Sequence, residues 1–290
     1  MQATAPGTMA SATPPSSLLR QCGFLTLSFS GAGHLLPYHL GAATAIRTTT
    51  TKLPIRAVSG SSSGAIAAAL FVYFPAERVR QYADRFISDG GRAMYHFEEM
   101  IAVEASRDAT DCDETTLHVA ATRCSDGSLH LFDFPPKLSS VSNSELVRCL
   151  KASCKIPQQF HPSDVLPSRW SPTYPEEEGI IIDGSSYVDG GISAPAPPTP
   201  LDSLDTNGGA CRVVISPISG GNIEKNTIRI SPADDSWKFP VDIRCRGGFA
   251  VHPSVQNIKA LQVSAGLAPS FILKEWYDRG YEDATNIMAT

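Results

Sequence analysis

Nothing in this 290-residue chain is apolar for long enough to cross a bilayer, since the longest such stretch, Ala65 to Phe74, is about half of what a spanning helix needs. Paired-cysteine spacing is missing too. The seven cysteines (Cys22, Cys112, Cys124, Cys149, Cys154, Cys211, Cys245) are odd in number, scattered, and include no C-x-x-C. That argues against zinc or a redox dithiol, and for reduced, mostly buried thiols in an intracellular protein. Positive charge is in short supply: 24 Lys+Arg against 29 Asp+Glu leave a net charge of −5, with no field to hold phosphate backbones. Nucleic acid is therefore disfavoured as a partner. Only 18% of residues are charged while 42% are hydrophobic, so the chain has the means to bury a core and is not disordered through its length. No internal repeat is present.

Acidic residues are absent until Glu77. Residues 1–21, rich in Ala, Thr, Ser and Pro and without an apolar signal core, read as a disordered leader outside the fold. Arg20 is their only basic residue, which gives organelle targeting little support. Residues 22–290 then read as one α/β domain. FLTLSFS from Phe24 is a strand that stops at Gly31-Ala32-Gly33, and residues 37–48 follow as a helix with proline in its first turn. Ile55 to Ser59 is a second strand. Gly64 to Tyr73 is apolar on all sides, so it is a helix buried against the sheet, and Ala76 to Ser88 continues as an amphipathic one. The mixed stretch 89–114 reads as a surface segment, with 93–103 either an interfacial flap or a packed helix. A strand pair at 117–122 and 129–134, a helix at 143–150, a loop at 162–179, strands at 180–182, 187–188 and 212–216, and helices at 254–264 and 269–288 complete the alternation.

Gly60-Ser61-Ser62-Ser63-Gly64 fits G-x-S-x-G, and the two glycines select Ser62 as the central residue. A serine on a tight strand-to-helix turn is held in a strained backbone conformation, and its neighbours two before and two after must lack Cβ. The same composition makes flexible linkers, but a linker is not clamped between a β-branched strand and ten apolar helical residues. The elbow is the better reading.

A serine hydroxyl needs a base, and two candidates stand downstream. His252 follows Asp189, so Ser62, Asp189 and His252 occur in the order of an α/β-hydrolase triad, although only one βα unit precedes Ser62 here. Alternatively Asp189 is itself the base, on a glycine turn with Gly190 and Gly191 that permits close approach, provided burial raises its pKa. Asp-Gly is also an ordinary turn dipeptide, as Asp183-Gly184 illustrates. Gly31-Ala32-Gly33 never reaches the third glycine of G-x-G-x-x-G, so it suits a short anion cradle better than a pyrophosphate. His34 beside it reads as solvent-facing or a local donor.

Taken together, LSFSGAGHLLPYHLGAA (27–43), AVSGSSSGAIAAAL (57–70), CLKASCKIPQQFHP (149–162), YVDGGIS (187–193), VVISPISG (213–220) and the segment 255–284 resemble the patatin-like phospholipases. The likeness is greatest to the branch that includes adipose triglyceride lipase and adiponutrin. It implies a three-layer α/β/α sandwich with a central, mostly parallel sheet, and a Ser–Asp dyad of Ser62 and Asp189. It also implies an oxyanion hole at Gly31, Ala32 and Gly33, and neither metal nor cofactor. The implied substrates are glycerolipid acyl esters at a lipid–water interface, triacylglycerol before phospholipid, and the implied location is cytoplasmic, peripheral to a lipid droplet or membrane. Three positions depart from the family's pattern: Leu35, where an Arg or Lys is frequent, Leu36, where a glycine is common, and Pro195, where an Asn is usual. Those departures keep a second expectation open, a catalytically weakened lipid-binding or regulatory protein on the same fold.

Overall fold

Alternation along the central strands separates two chemistries, and the computed structural model shows how each face of the sheet is covered. It describes residues 15–49, 53–89, 93–104, 114–138, 140–168, 170–203, 209–221, 226–239, 241–266 and 268–289. In chain order the elements are α1 (Pro15–Gln21), β1 (Phe24–Phe29), α2 (Leu36–Thr48), β2 (Ile55–Ser61), α3 (Ser63–Tyr73), α4 (Ala76–Ser88), α5 (Ala93–Glu104), β3 (Thr116–Arg123), β4 (Leu129–Phe134) and α6 (Ser140–Ser153). They continue with β5 (Ile180–Ile182), β6 (Ser185–Asp189), α7 (Gly190–Ser193), β7 (Ala210–Ile215), β8 (Thr227–Ile230), β9 (Ile243–Arg244), β10 (Ala250–Val251), α8 (Val255–Ala265) and α9 (Ser270–Met288). The main sheet runs β5-β6-β3-β2-β1-β7-β8, with β4 paired to β3. Its centre, β3-β2-β1-β7-β8, is parallel throughout, while β4, β5 and β6 join antiparallel.

Leu25, Leu27 and Phe29 of β1 lie in register with Cys211, Val213 and Ile215 of β7 and share one face with Val58, Leu117 and Val119. On that face the inward sides of α2, α3, α4, α6 and α9 form the main core, including Leu40, Leu70, Tyr82, Leu146 and Tyr277. Burial of that apolar surface is the dominant drive for folding. All of α3 from Ser63 to Val72 is buried, as its unbroken apolar composition requires.

The opposite face carries Thr26, Ser28, Ser59, Ser61 and Arg212, and its cover is the proline-rich segment after α7. Prolines contribute carbonyls without N–H groups, so this segment supplies acceptors to a sheet face that supplies donors. Ser28 and Ser59 donate to the Pro197 carbonyl at 2.7 and 2.6 Å, Ser61 to that of Pro195 at 2.8 Å, and Arg212 to that of Ala196 at 2.7 Å. Asp202 closes the seam, accepting from Thr26 at 2.5 Å and pairing with the buried Arg212 at 3.5 Å. This outer layer is thin, built from α7, this segment and single helical turns at 200–203 and 246–248. The architecture is nevertheless the three-layer α/β/α one.

Two sequence expectations change and one open alternative is decided. Pro15–Gln21 is a helix rather than part of a disordered leader, because Leu18 and Leu19 find the main core, while residues 1–14 lie outside the described residues. Within 89–114, Ala93–Glu104 is a helix that seats Phe97 edge-on against Tyr82, 6.5 Å between ring centres; residues 90–92 and 105–113 lie outside the described residues. Strand β8 has no counterpart in the sequence reading. It is four residues long and carries the half-buried Arg229, which donates to the Ala250 carbonyl at 2.7 Å and lies over the Phe249 ring.

The Asp202–Arg212 pair yields a test. Asp202→Ala leaves a guanidinium buried without its counter-charge, and the expected loss is about 3–5 kcal/mol of unfolding free energy. The double change Asp202→Leu with Arg212→Met loses clearly less in urea unfolding, since it removes both charges together.

Candidate active site

Register along β3 explains how two remote residues meet. Ser61, the last residue of β2, lies opposite Ala120, and β4 occupies the other edge of β3 from Leu117 to Thr122. Strand β6 therefore pairs with β3 on the edge that β2 has left, with Asp189 opposite Ala121 and Tyr187 opposite Arg123. The two strands run toward each other and end one β3 residue apart. Ser62 and Asp189 are the next positions on either side of that junction.

Ser62 has φ 52° and ψ −132°, a left-handed conformation costly for a residue with a side chain, at the head of the 11-residue α3. The flanking glycines are a steric necessity. A Cβ on Gly60 would stand 2.4 Å from the Gly64 carbonyl oxygen, and one on Gly64 would stand 2.3 Å from that of Ser30. The sequence frame for the elbow is thus the geometry observed. Ser62 is half-buried, its N–H donates to Ser153 Oγ at 2.9 Å, and its hydroxyl is near enough to the Asp189 carboxylate to favour the ionised form.

Asp189 is 6% exposed. Desolvation lifts its carboxyl to about 6, against the pull of hydrogen bonds from the Ser62 hydroxyl and the Gly191 N–H. Gly191 donates at 2.7 Å, which makes Asp189 the N-cap of α7, while the Asp189 N–H donates to the Lys155 carbonyl at 2.8 Å. Gly190 must lack a Cβ because Ala120 O would be 2.2 Å from it. The turn after α6 therefore grips both partners, Ser62 through Ser153 and Asp189 through Lys155. Between them Cys154 is half-buried, its thiol pushed well above its ordinary range by desolvation and by the Asp189 charge. Sequence reading assigned these three residues no role; their only signal was membership of the segment 149–162.

The glycine loop lies against the elbow, since a Cβ on Gly31 would be 3.5 Å from Ser62 Cβ. Its three amides are not equivalent. Gly31 donates to the Pro195 carbonyl at 2.8 Å and Ala32 to Ser63 Oγ at 3.2 Å, whereas the N–H groups of Gly33 and Ser63 have no hydrogen-bond partner among the described residues. Gly31 is thereby a spacer that lets the loop approach, and its amide is spent on the proline-rich cover. Beneath the loop, His39 is buried and held neutral, its pKa lowered to about 4 by desolvation, with Nε2–H donating to the Ser30 carbonyl at 2.8 Å.

His252 is placed elsewhere. Its ring pairs with Asp242, its N–H donates to the Ser219 carbonyl and its own carbonyl accepts from Asn257, and neither Ser62 nor Asp189 is among its partners. Leu35 is fully buried against Ala32, Ile218 and Ala260 in a small cluster beneath α8, and Leu36 lies in the main core. The departures there are packing substitutions. Pro195 acts through its carbonyl, which holds both Gly31 and Ser61, so the side chain at that position is not what ties the loops together. Among the described residues no three His, Cys, Asp or Glu side chains are grouped to hold a metal ion.

Residues 27–202 match the family model described as patatin-like phospholipase, which is more than half of the chain. Patatin-like phospholipase domain-containing protein 4 of Homo sapiens is 25% identical over 225 residues, covering 72% of this chain and 76% of that protein. Among solved structures the chain is similar to VipD from Legionella pneumophila, with TM-score 0.43 and 12% identity over 92% of this chain and 67% of that one.

The burial of Asp189 has a cost that pH exposes. A carboxyl whose folded pKa is raised to about 6 from an ordinary value near 4 stabilises the fold while protonated. That contribution is lost as pH rises through about 6. Asp189→Asn keeps an acceptor for Gly191 and removes the charge. Between pH 4 and pH 7 its unfolding free energy is expected to rise relative to the unmodified chain by on the order of 2–4 kcal/mol in urea titrations. An unchanged difference across that range would count against a raised pKa.

Proposed function

The chain belongs to the patatin-like phospholipase family and is a lipid acyl hydrolase, and we propose that it cleaves glycerolipid esters with Ser62 as nucleophile and Asp189 as its only base. The observation that carries this reading is the head-on meeting of β2 and β6, which sets the Ser62 hydroxyl on a buried carboxylate of pKa about 6. Such a value lets the group be ionised near neutrality and still bind a proton usefully.

Attack of Ser62 Oγ on the ester carbonyl carbon passes the hydroxyl proton to Asp189 and places negative charge on the carbonyl oxygen. The amides of Gly33 and Ser63, with the positive end of α3, face no competing acceptor and receive that charge, and Ala32 joins if its long bond to Ser63 Oγ yields. As the tetrahedral adduct collapses, Asp189 returns the proton to the departing glycerol oxygen. Water then attacks the acyl-Ser62 ester, Asp189 takes its proton, and the fatty acid leaves with Ser62 restored. Ser153 and Lys155 act as positioning residues, fixing the backbones of nucleophile and base.

Within glycerolipids the sequence resemblance favours triacylglycerol over phospholipid, and a panel of triacylglycerol, diacylglycerol, phosphatidylcholine and a monomeric soluble ester tests the order. A second reading, a lipid-binding protein with weakened catalysis, draws on the Gly31 amide being occupied by Pro195. A fluorophosphonate probe decides between them, because covalent labelling of Ser62 requires an activated hydroxyl.

Ser62→Ala is expected to fold normally, to escape the probe and to lose all measurable turnover. His252→Ala retains turnover, whereas Asp189→Asn lowers kcat by about 10²-fold or more, the usual contribution of a general base. For the unmodified chain kcat/KM on the soluble ester rises with pH up to about 6, where Asp189 ionises, and is level above it. Probe labelling that survives Ser62→Ala would refute the assignment of the nucleophile.

A further inference from the structure

A buried hydroxyl needs an acceptor for its proton, and one beside the elbow has none. Ser63, the first residue of α3, is 7% exposed, and its Oγ accepts from the Ala32 N–H at 3.2 Å. Its own proton meets no acceptor among the described residues. The carbonyls of the glycine loop and the elbow are already engaged. That of Pro195 receives Gly31 and Ser61, that of Ala32 receives the Leu35 N–H and the Ser264 hydroxyl, that of Ser30 receives His39, and that of Ser62 receives the Ala65 N–H. Leaving a donor unpaired in the interior is costly, so a hydroxyl held in this way points to an acceptor that arrives later.

Its position says which acceptor that is. Ala32 and Gly33 are consecutive, so the amide bonded to Ser63 Oγ adjoins the open amide of Gly33. Ser63 carries the second open amide on its own backbone. An oxygen received by those two N–H groups is therefore brought beside Ser63 Oγ from both directions. Ser62, whose Oγ bonds to the carbon that bears this oxygen, is the preceding residue.

We propose that the Ser63 side chain is a further catalytic group, whose hydroxyl donates to the oxyanion while its oxygen stays bonded to the Ala32 amide. The inference rests on the reading of Ser62 as the nucleophile. Ser63 gives up no proton: the Ser62 proton passes to Asp189 and on to the leaving alcohol as before, and Ser63 adds one hydrogen bond. Ala32 then takes part without leaving Ser63, because an N–H that donates to a hydroxyl oxygen polarises the O–H beyond it. A hydrogen bond to a charged oxygen is roughly twice as strong as one between neutral groups, so the oxyanion gains more from this donor than the ester carbonyl does. The hydroxyl accordingly acts on kcat rather than on KM. The opposite role, in which Ser63 merely occupies the Ala32 amide, reverses the sign, since removing the hydroxyl would release an oxyanion donor.

Kinetics of the full chain on a monomeric soluble ester decide between the two. Ser63→Ala is expected to lower kcat by about 10²-fold, the usual loss for one oxyanion donor, with KM nearly unchanged. Ser63→Cys fills the same space with a poor donor and falls similarly, while Ser63→Thr, which keeps the hydroxyl, retains most of the rate. A trifluoromethyl ketone, which forms a charged tetrahedral adduct with Ser62, loses affinity in Ser63→Ala and Ser63→Cys in parallel with kcat/KM. Urea unfolding of each variant reports that the fold is kept, and the volume preserved in Ser63→Cys separates a lost donor from a packing defect. Turnover by Ser63→Ala at or above the unmodified rate overturns the proposal and leaves the hydrolase reading standing. Full activity in Ser63→Cys overturns it too, assigning the residue to packing. An unmodified chain that neither hydrolyses the ester nor takes the fluorophosphonate probe removes the hydrolase reading, and the role of Ser63 with it.

Discussion

Because β4 fills one edge of β3, the only place for β6 is the stretch of the other edge that β2 has vacated, and the ends of two oppositely running strands are driven together. Every feature of the site follows from that junction. An elbow must turn β2 away into α3 before it collides with β6, and a glycine pair must turn β6 away into α7. The turn after α6 fits between them because Ser153 and Lys155 satisfy the two backbone N–H groups that the broken sheet leaves without strand partners. A hydroxyl and a carboxylate distant in sequence become neighbours through backbone pairing alone.

The junction is not stabilising in itself. Ser62 is held at positive φ, and a carboxylate is kept from water with few donors to compensate it. Such local costs persist when the surroundings over-determine the geometry, and here the surroundings are the all-apolar α3, the tightly packed helical layer and a strand β3 paired along both of its edges. The same desolvation that destabilises the ionised Asp189 raises its basicity. Stability and reactivity are thus set in opposition at one group.

The cover of the polar sheet face belongs to the site as much as to the fold. Of the four prolines from Pro195 to Pro200, Pro195 and Pro197 offer carbonyls that the hydroxyls of β1 and β2 meet. One of those carbonyls, at Pro195, also holds the Gly31 amide and the Ser61 hydroxyl, so the glycine loop, the elbow and the chain after the base are anchored on a single atom. The cost is one candidate oxyanion donor. It shifts that role toward Gly33 and the start of α3.

Strong local signals were legible in the residues themselves. The spacing of Gly60 and Gly64 singled out Ser62, because only glycine tolerates a carbonyl 2.3–2.4 Å from where a Cβ would be. Buried helix α3 was written in ten apolar residues, and most strands of the parallel centre in β-branched runs. Weak or context-dependent signals were not. The helix Pro15–Gln21 has leader-like composition and is ordered only by the core that Leu18 and Leu19 reach, and β8 is too short and too polar to announce itself. Ser153 looked like any helix-end serine.

What the sequence determined alone was the local geometry: a strained nucleophile at a strand-to-helix turn, a glycine loop before it, and an aspartate on a tight turn. These depend on steric and periodic rules that act within a few residues. Which acidic or imidazole side chain comes to stand beside Ser62, which amides stay unoccupied, and where apolar surface is left facing outward were decided by tertiary structure. Each depends on strand register and on the partner that arrives from a distant segment, as Asp189 reaches Ser62 while His252 is drawn to Asp242.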